Sequence, residues 1–185
     1  QDVLKVDLHK LIAEEFPNMP VAVCANLPYY ITSPIIMNLL ESRLPISSLT
    51  VMVQKEAAQR ICAMPGSREV GAVSIAVRYY CEPKVLFQVS RGSFMPAPDV
   101  DSTVIRLDIR KQPVVDVKRE EDFFLVVKAA FSQRRKTLSN TLSSGLSMNK
   151  TQIAELLERA GVASNLRAEQ LSMQQFADIA NALNP

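Results

Sequence analysis

The stretch Val21-Ala22-Val23-Cys24-Ala25, which Asn26-Leu27-Pro28-Tyr29 follows at once, decides the fold of this chain. Five apolar residues that end at a turn signal predict a strand. The pattern on both sides of the strand is helical. Residues 9–15 predict one helix, and Thr32 or Ser33 can cap a second one. A strand between two helices is typical of an α/β fold.

The polar residues that end this strand predict a binding site. Pro28 has a fixed φ angle and pushes Leu27 toward an extended conformation, so the Leu27 carbonyl has a defined direction. The Asn26 carboxamide and neighbouring carbonyls can accept both hydrogens of an exocyclic amine, and Tyr29 offers a flat face for the ring that carries the amine. Asn-Xaa-Pro is also ordinary turn chemistry, so the stretch alone leaves a base-binding site and a plain turn open.

The alternation of strands and helices continues downstream. A short apolar strand at 49–53 leads directly into a helix, and a helix at 71–80 precedes a strand at 84–89. Residues 104–109 alternate apolar and polar side chains, as in a strand with one more exposed face. We expect this strand to end the sheet.

Composition changes after Lys111-Gln112-Pro113, where strand signals stop and helical periodicity continues to the end of the chain. We therefore predict an α/β domain at 1–112 and a small all-helical domain at 113–185.

Composition also excludes some classes of protein. A hydrophobic content of 48% over 185 residues allows a sizeable core, and a net charge of +2 does not by itself predict a polyanionic partner. Cys24, Cys62 and Cys81 are widely spaced in apolar surroundings, which predicts packed, reduced thiols in a cytoplasmic protein and no metal site. No apolar run reaches the roughly 18–20 residues that span a bilayer, and no basic-then-apolar leader is present. We expect no membrane partner.

A second informative stretch is Ser93-Phe94-Met95-Pro96-Ala97-Pro98-Asp99-Val100-Asp101-Ser102, between the last two predicted strands. Two prolines in three residues stiffen this loop and hold Phe94 at its start. An aromatic side chain on a stiff loop either packs in the core or covers a ligand, and this stretch alone favours the core. Paired with Tyr29, however, Phe94 would form a two-sided aromatic clamp of the kind that holds extruded bases.

A third stretch carries three consecutive cations, Arg134-Arg135-Lys136, beside a predicted helix start. Like charges in a row repel each other and favour exposure to water or to phosphate. A solvated turn and an RNA-binding segment are both compatible with this pattern.

Five stretches, in order and in register, resemble the KsgA-type ribosomal RNA adenine N6-dimethyltransferases, the rRNA adenine dimethylase family. The resemblance covers essentially the whole chain. The stretches are Asp2-Val3-Leu4-Lys5-Val6-Asp7, Asn26-Leu27-Pro28-Tyr29-Tyr30, Val53-Gln54-Lys55-Glu56, Phe94-Met95-Pro96-Ala97-Pro98-Asp99-Val100-Asp101-Ser102 and Phe131-Ser132-Gln133-Arg134-Arg135-Lys136-Thr137-Leu138.

The resemblance implies a fold and an activity. The fold would be the C-terminal part of a Rossmann-like methyltransferase sheet, at 1–112, followed by a helical rRNA-binding domain at 113–185. The activity would be S-adenosylmethionine-dependent dimethylation of N6 of two adjacent adenosines near the 3′ end of small-subunit rRNA. The implied partner is this rRNA or an immature small ribosomal subunit in the cytoplasm, and we expect the enzyme to be a monomer.

The resemblance also assigns roles to residues. Asn26 and the Leu27 carbonyl match the groups that hold the target N6, with Pro28 between them and the stacked ring of Tyr29. Phe94 matches the aromatic residue on the opposite face of the base. Asp2 matches the residue that accepts a hydrogen bond from the cofactor adenine. Asn26 is assigned to cofactor binding as well as to the target amine. Arg134, Arg135 and Lys136 match the basic part of the RNA-facing helical domain.

The chain departs from the family pattern in one respect. The Gly-rich cofactor loop and the acidic residue that binds the ribose lie upstream in the family and are absent here. We therefore expect these 185 residues to be the C-terminal part of a longer enzyme. We also expect that, in isolation, they neither bind S-adenosylmethionine tightly nor turn over.

Two other functions are compatible with the sequence. One is a resistance-type methylase that acts on large-subunit rRNA, against which the stretch from Phe131 to Leu138 argues. The other is a noncatalytic rRNA-binding or ribosome-assembly module, which the missing cofactor loop makes physically reasonable.

Overall fold

A computed structural model describes residues 3–184 of the chain. It contains four strands and eight α-helices among these residues, with short 3-10 turns between them. The strands are β1 (Val21–Asn26), β2 (Ile46–Gln54), β3 (Cys81–Val89) and β4 (Ser102–Ile109). The helices are α1 (Leu8–Glu15), α2 (Thr32–Glu41), α3 (Lys55–Cys62), α4 (Ala72–Tyr80), α5 (Glu120–Ala130), α6 (Leu138–Gly145), α7 (Lys150–Arg159) and α8 (Met173–Leu183).

The four strands form one mixed sheet with the order β1-β2-β4-β3. β1 and β2 run parallel, whereas β4 is antiparallel to both of its neighbours, β2 and β3. Parallel strands need a crossover connection, which α2 supplies between β1 and β2. The predicted α/β architecture is confirmed. The expectation that the strand at 104–109 ends the sheet is wrong, because β4 pairs with both β2 and β3 and leaves β3 at the edge.

The strand register brings two loops to one end of the sheet. Asn26, the last residue of β1, pairs with Met52, and Gln54 at the end of β2 pairs with Ser102 at the start of β4. The carboxyl ends of β1 and β2 therefore lie at the same end as the loop that enters β4. The segments after Asn26 and before Ser102 meet there although they are distant in sequence.

The core of this sheet region is built by side chains of α2, α3 and the central strands β2 and β4. Its fully buried side chains include Ile36, Leu49, Val53, Ile105 and Leu107. On β1 the side chains alternate between half-buried and exposed, and Cys24 is exposed. The interpretation of all three cysteines as packed thiols is thus wrong for Cys24, because it points away from the buried face.

The predicted cap of α2 is also wrong. Thr32 and Ser33 are the first residues inside the helix, and Ile31 precedes it without a side-chain cap. The Thr32 hydroxyl instead donates a hydrogen bond to the Pro28 carbonyl at 3.1 Å. This hydrogen bond fixes the turn that follows Asn26-Leu27. A helix cap would instead bind a backbone amide of α2.

The chain divides into two compact units, 1–62 with 80–112, and 63–79 with 113–185. The sequence placed a boundary between 112 and 113 but assigned 63–79 to the first domain. These residues group with the C-terminal helices because Tyr79 stacks on Phe123, with ring centroids 4.8 Å apart, and meets Phe124 edge-on at 5.2 Å. The functions predicted for the two domains stay predictions.

The second unit is helical, as the periodicity after Pro113 predicts. Its core contains fully buried side chains from each of the helices α5 to α8, namely Phe123, Leu138, Leu142, Ile153 and Phe176. Asn149 and Ser172 begin α7 and α8 with capping boxes, in which the cap and the third helical residue exchange hydrogen bonds.

Candidate functional site

The segment that follows β1 is held by backbone bonds. The Leu27 amide donates to the Met52 carbonyl at 3.3 Å, which extends the pairing of β1 with β2 by one residue. Pro28 is extended, and its carbonyl accepts hydrogen bonds from the Ile31 amide and the Thr32 hydroxyl. The direction of the chain is therefore fixed on both sides of Pro28.

This local structure leaves two polar groups without a hydrogen-bond partner among the described residues. Asn26 is exposed, and its carboxamide makes no hydrogen bond to any residue in the described range 3–184. The Leu27 carbonyl likewise accepts no hydrogen bond from residues in that range, and Leu27 as a whole is 6% exposed. Two acceptors on adjacent residues suit a group with two N–H bonds.

Hydrogen bonds to Asp101 restrain the loop before β4. The Asp101 carboxylate accepts a hydrogen bond from the Arg91 amide at 2.9 Å, and its backbone carbonyl accepts one from the Lys55 amide at 3.0 Å. The Arg91 guanidinium donates to the Asp99 carbonyl at 3.3 Å. These bonds fix both ends of the segment that carries Phe94.

The two segments form a single cleft of about 360 Å³. The residues that line it are Asn26, Leu27, Pro28, Tyr29, Phe94, Pro96 and Pro98. The structure thus brings together every residue that the sequence predicted for the target base. Phe94 is half-buried and lines the cleft, so the interpretation of Phe94 as a core residue is wrong.

The lining of this cleft suits a flat, neutral ligand. Its walls are aromatic and prolyl, and its polar groups are an amide, a carbonyl and a phenol. Among residues 3–184, the lining has no carboxylate, imidazole or amine, so these residues offer hydrogen bonds and stacking rather than a strong acid or base. Such a site can orient an amino-bearing base.

Sequence reasoning missed one residue beside this cleft. The Tyr29 hydroxyl lies 2.7 Å from the hydroxyl of Ser102, which is fully buried at the start of β4. The signal was present, because Ser102 ends the proline-rich stretch that contains Phe94. Its partner could not be identified without the strand register.

Of the two predicted cofactor residues, Asn26 and Asp2, the structure describes only Asn26. Asn26 is exposed at the carboxyl end of a strand, where ligands bind in open α/β sheets, and its free carboxamide suits a polar cofactor group. Asp2 lies outside the described residues. A second cavity, of about 390 Å³, is mainly apolar and is lined by Val3, Val23 and Ile35 among others, together with Asn26 and Pro28.

The three predicted RNA-binding cations lie in the turn between α5 and α6, and all are exposed. They are not equivalent. The Arg134 guanidinium donates to the Arg68 carbonyl at 2.5 Å and so joins two loops of the helical unit. Arg135 and Lys136 make no side-chain contact with the rest of residues 3–184 in hydrogen bonds or ion pairs.

None of the helices in residues 3–184 has the length and apolarity needed to cross a bilayer. In the same range, no group of three or more histidine, cysteine, aspartate or glutamate residues is arranged to hold a metal ion.

Comparison with solved structures gives the fold class. A dimethyladenosine transferase from Plasmodium falciparum superposes with a TM-score of 0.76 at 23% identity, over 97% of this chain and 69% of that protein. The 23S rRNA methyltransferase ErmE superposes with a TM-score of 0.63, also at 23% identity, over 96% of this chain and 78% of that protein. Both likenesses concern the fold, which is that of Rossmann-like methyltransferases.

Comparison with curated sequences gives the family. Proteins named ribosomal RNA small subunit methyltransferase A from Alkaliphilus oremlandii and Geobacillus thermodenitrificans are each 52% identical, over 99% and 100% of this chain. The chain spans about 64% of the length of each of these relatives. The family model for ribosomal RNA adenine dimethylase matches residues 1–185. The chain therefore belongs to the ribosomal RNA adenine dimethylase family.

Proposed function

We propose that the protein dimethylates N6 of two adjacent adenosines near the 3′ end of small-subunit rRNA, with S-adenosylmethionine as the methyl donor. In this proposal it acts as a monomer in the cytoplasm, on rRNA within an immature small ribosomal subunit. The observation that carries the proposal is the single cleft that Asn26, the Leu27 carbonyl, Tyr29 and Phe94 line. The name shared by the similar proteins supports the choice of small-subunit rRNA.

The proposed role of Asn26 and Leu27 is to grip the amine. The N6 lone pair of adenine is delocalised into the ring, which makes this nitrogen a poor nucleophile. Two acceptors that bind its hydrogens favour a pyramidal nitrogen. The lone pair of such a nitrogen is less delocalised into the ring and can point at the methyl donor. The exposed carboxamide and the Leu27 carbonyl are two such acceptors on adjacent residues. Reactivity then rises through orientation and proximity rather than through a strong base.

The proposed role of Tyr29 and Phe94 is to hold the ring of the base. Both side chains line the cleft and belong to segments that backbone hydrogen bonds fix. Stacking against aromatic rings compensates for the stacking that an extruded base loses in RNA. This favours target adenosines in a loop or at a strained helix end over those in a regular duplex.

S-adenosylmethionine, when bound, supplies a methyl group on a positively charged sulfur. Asn26 is the described residue that we propose to contact it, while the proposed contact of Asp2 lies outside the described residues.

The proposed RNA-binding surface of the helical domain is the turn that contains Arg134, Arg135 and Lys136. Arg135 and Lys136 are exposed and are available for phosphate oxygens. Arg134 is proposed to act mainly by holding the turn, because its guanidinium donates to the Arg68 carbonyl.

The proposal is tested by mapping methylated adenosines. Small-subunit particles from cells that lack the protein are incubated with the full-length enzyme and labelled S-adenosylmethionine, and the rRNA is digested and analysed by mass spectrometry. We expect N6,N6-dimethyladenosine at two adjacent positions near the 3′ end of the small-subunit rRNA. Methylation of large-subunit rRNA would instead indicate a resistance-type methylase. Salt-dependent rRNA binding without methyl transfer would indicate an assembly module. Either result would overturn the proposal.

A further inference from the structure

The hydroxyl groups of Tyr29 and Ser102 form a hydrogen bond of 2.7 Å that joins the segment after β1 to the start of β4. Ser102 is fully buried, with 0% of its surface exposed, whereas Tyr29 is half-buried and lines the cleft. A buried hydroxyl needs a partner because water cannot replace a lost hydrogen bond. The bond is therefore a fixed part of the cleft wall.

The bond restrains the Tyr29 ring at the end that its backbone does not hold. The Tyr29 main chain lies in a 3-10 turn that begins after Pro28, and the phenol oxygen lies at the opposite end of the ring. A ring fixed at both ends has a defined axis, so its face keeps one tilt toward the cleft. Without the Ser102 hydroxyl, the ring loses this restraint on its side-chain torsion angles.

The residue before Ser102 restrains the opposite wall. The Asp101 carboxylate accepts a hydrogen bond from the Arg91 amide at 2.9 Å, in the turn Arg91–Ser93 that leads into Phe94. Two consecutive residues, Asp101 and Ser102, thus hold the segments of Phe94 and Tyr29. Their backbone is in turn held by the Lys55 amide, which donates to the Asp101 carbonyl, and by the pairing of Ser102 with Gln54.

From this arrangement we propose that Ser102 is a positioning residue that sets the tilt of the Tyr29 ring against the target base. Asp101 and Ser102 together set the width of the slot between Tyr29 and Phe94. The Tyr29 hydroxyl then serves to anchor the ring and transfers no proton. The inference rests on the proposed function, since it assumes that a base occupies the cleft.

The test compares four variants of the full-length enzyme on small-subunit particles: Ser102→Ala, Ser102→Thr, Tyr29→Phe and the double variant Ser102→Ala with Tyr29→Phe. We expect Ser102→Ala and Tyr29→Phe each to lower kcat for methyl transfer about tenfold, the size of effect expected for one misplaced contact. Because the two hydroxyls act as one unit, the double variant should lose no more than either single variant. Ser102→Thr keeps the hydroxyl and should retain most of the activity.

The control is Ser47→Ala, which also removes a serine hydroxyl that makes a hydrogen bond in the same sheet. Ser47 donates to the Val21 carbonyl at 3.1 Å, at the amino-terminal end of β1, away from the cleft. This variant should keep the wild-type kcat. The melting temperature of every variant is measured in parallel. A second readout is the fluorescence of 2-aminopurine at the target position, which ring stacking quenches, and quenching should weaken in Ser102→Ala.

The outcomes separate the inference from the function on which it rests. If the wild-type enzyme forms no dimethyladenosine, the proposed function fails and the inference fails with it. If the wild type is active but Ser102→Ala retains kcat and full quenching, the function stands and the positioning role is refuted. The role would also be refuted if the fall in kcat of Ser102→Ala followed a fall in its melting temperature. It would be refuted as well if the fall in kcat of the double variant equalled the product of the two single effects.

Discussion

Tyr29 and Phe94 line one cleft at the end of the sheet, although they belong to segments that are distant in sequence. Their meeting depends on the strand order. Because β4 runs antiparallel beside β2, the loop that enters β4 lies at the carboxyl ends of β1 and β2. The two rings that the sequence paired as a clamp therefore line the same cleft, and the clamp itself stays a prediction.

Removal of Phe94 should weaken methyl transfer through loss of stacking. Stacking of a base on an aromatic side chain contributes about 1–3 kcal/mol, so Phe94→Ala should lower kcat/KM by about 5- to 150-fold. Phe94→Tyr should retain most of the activity. The control is Phe87→Ala on the edge strand β3, where the side chain is 57% exposed. Equal effects of Phe94→Ala and Phe87→Ala would contradict the clamp.

The exposed cations of the α5–α6 turn should act on rRNA affinity. Each of Arg135→Ala and Lys136→Ala should reduce the slope of log affinity against log salt by roughly 0.7–0.9, the value for one lost phosphate contact. Filter binding at a series of salt concentrations measures this slope. Lys10→Ala is the charge-matched control, since Lys10 pairs with Glu14 on α1 at 3.8 Å. An unchanged slope for both variants would leave the segment as a solvated turn.

Gly145 is predicted to be required for helix packing in the second unit. A Cβ atom on Gly145 would lie 2.5 Å from the Cβ of Ala129, so α5 and α6 would have to move apart. Gly145→Ala should therefore reduce the free energy of unfolding by about 1–3 kcal/mol. Gly71→Ala is the control, because an added Cβ meets nothing within 4 Å there. Urea unfolding followed by circular dichroism compares the two, and equal stability would contradict the packing argument.

Cys81 should make the protein less stable at alkaline pH. Burial raises the pKa of the Cys81 thiol from 9.0 to about 12, with a smaller opposing effect of Arg110. The unfolded chain ionises this thiol first, so its contribution is fully present below about pH 9 and is lost as the pH rises toward 12. The loss is at most about 1.4 kcal/mol per pH unit. Unfolding of wild type and Cys81→Ala at pH 8 and about pH 10 measures it, and parallel losses would refute this prediction.

Sequence reasoning succeeded where the signal is local. The apolar run before Asn26 identified β1, and the apolar periodicity around Phe123, Ile153 and Phe176 identified helices of the second unit. The stretch Asn26-Leu27-Pro28-Tyr29, which the sequence singled out by its turn and its acceptors, lines the cleft, whereas the stretch around Phe94 taken alone favoured the core. Local propensity and local hydrogen bonding are sufficient for such features.

The remaining features depend on contacts between distant residues. The bond between Tyr29 and Ser102 requires the register of β4 against β2, and the contact of Arg134 with the Arg68 carbonyl requires two loops to meet. The grouping of 63–79 with the C-terminal helices depends on the packing of Tyr79 against Phe123. No local pattern in the sequence encodes these pairings, because a strand register or a helix contact depends on the packing of many residues that are distant in sequence.

The proposed binding of the target amine by Asn26 is tested most directly with the variant Asn26→Ala. Dimethyladenosine formation and rRNA binding are both measured with the full-length enzyme on the same small-subunit particles. Asn38→Ala on α2 is the matched control. If the Asn26 carboxamide grips the target amine, Asn26→Ala should lower kcat by about 100-fold or more while the Kd for the particle changes by less than about threefold. Undiminished dimethyladenosine formation, or equal losses in methyl transfer and binding, would contradict the account.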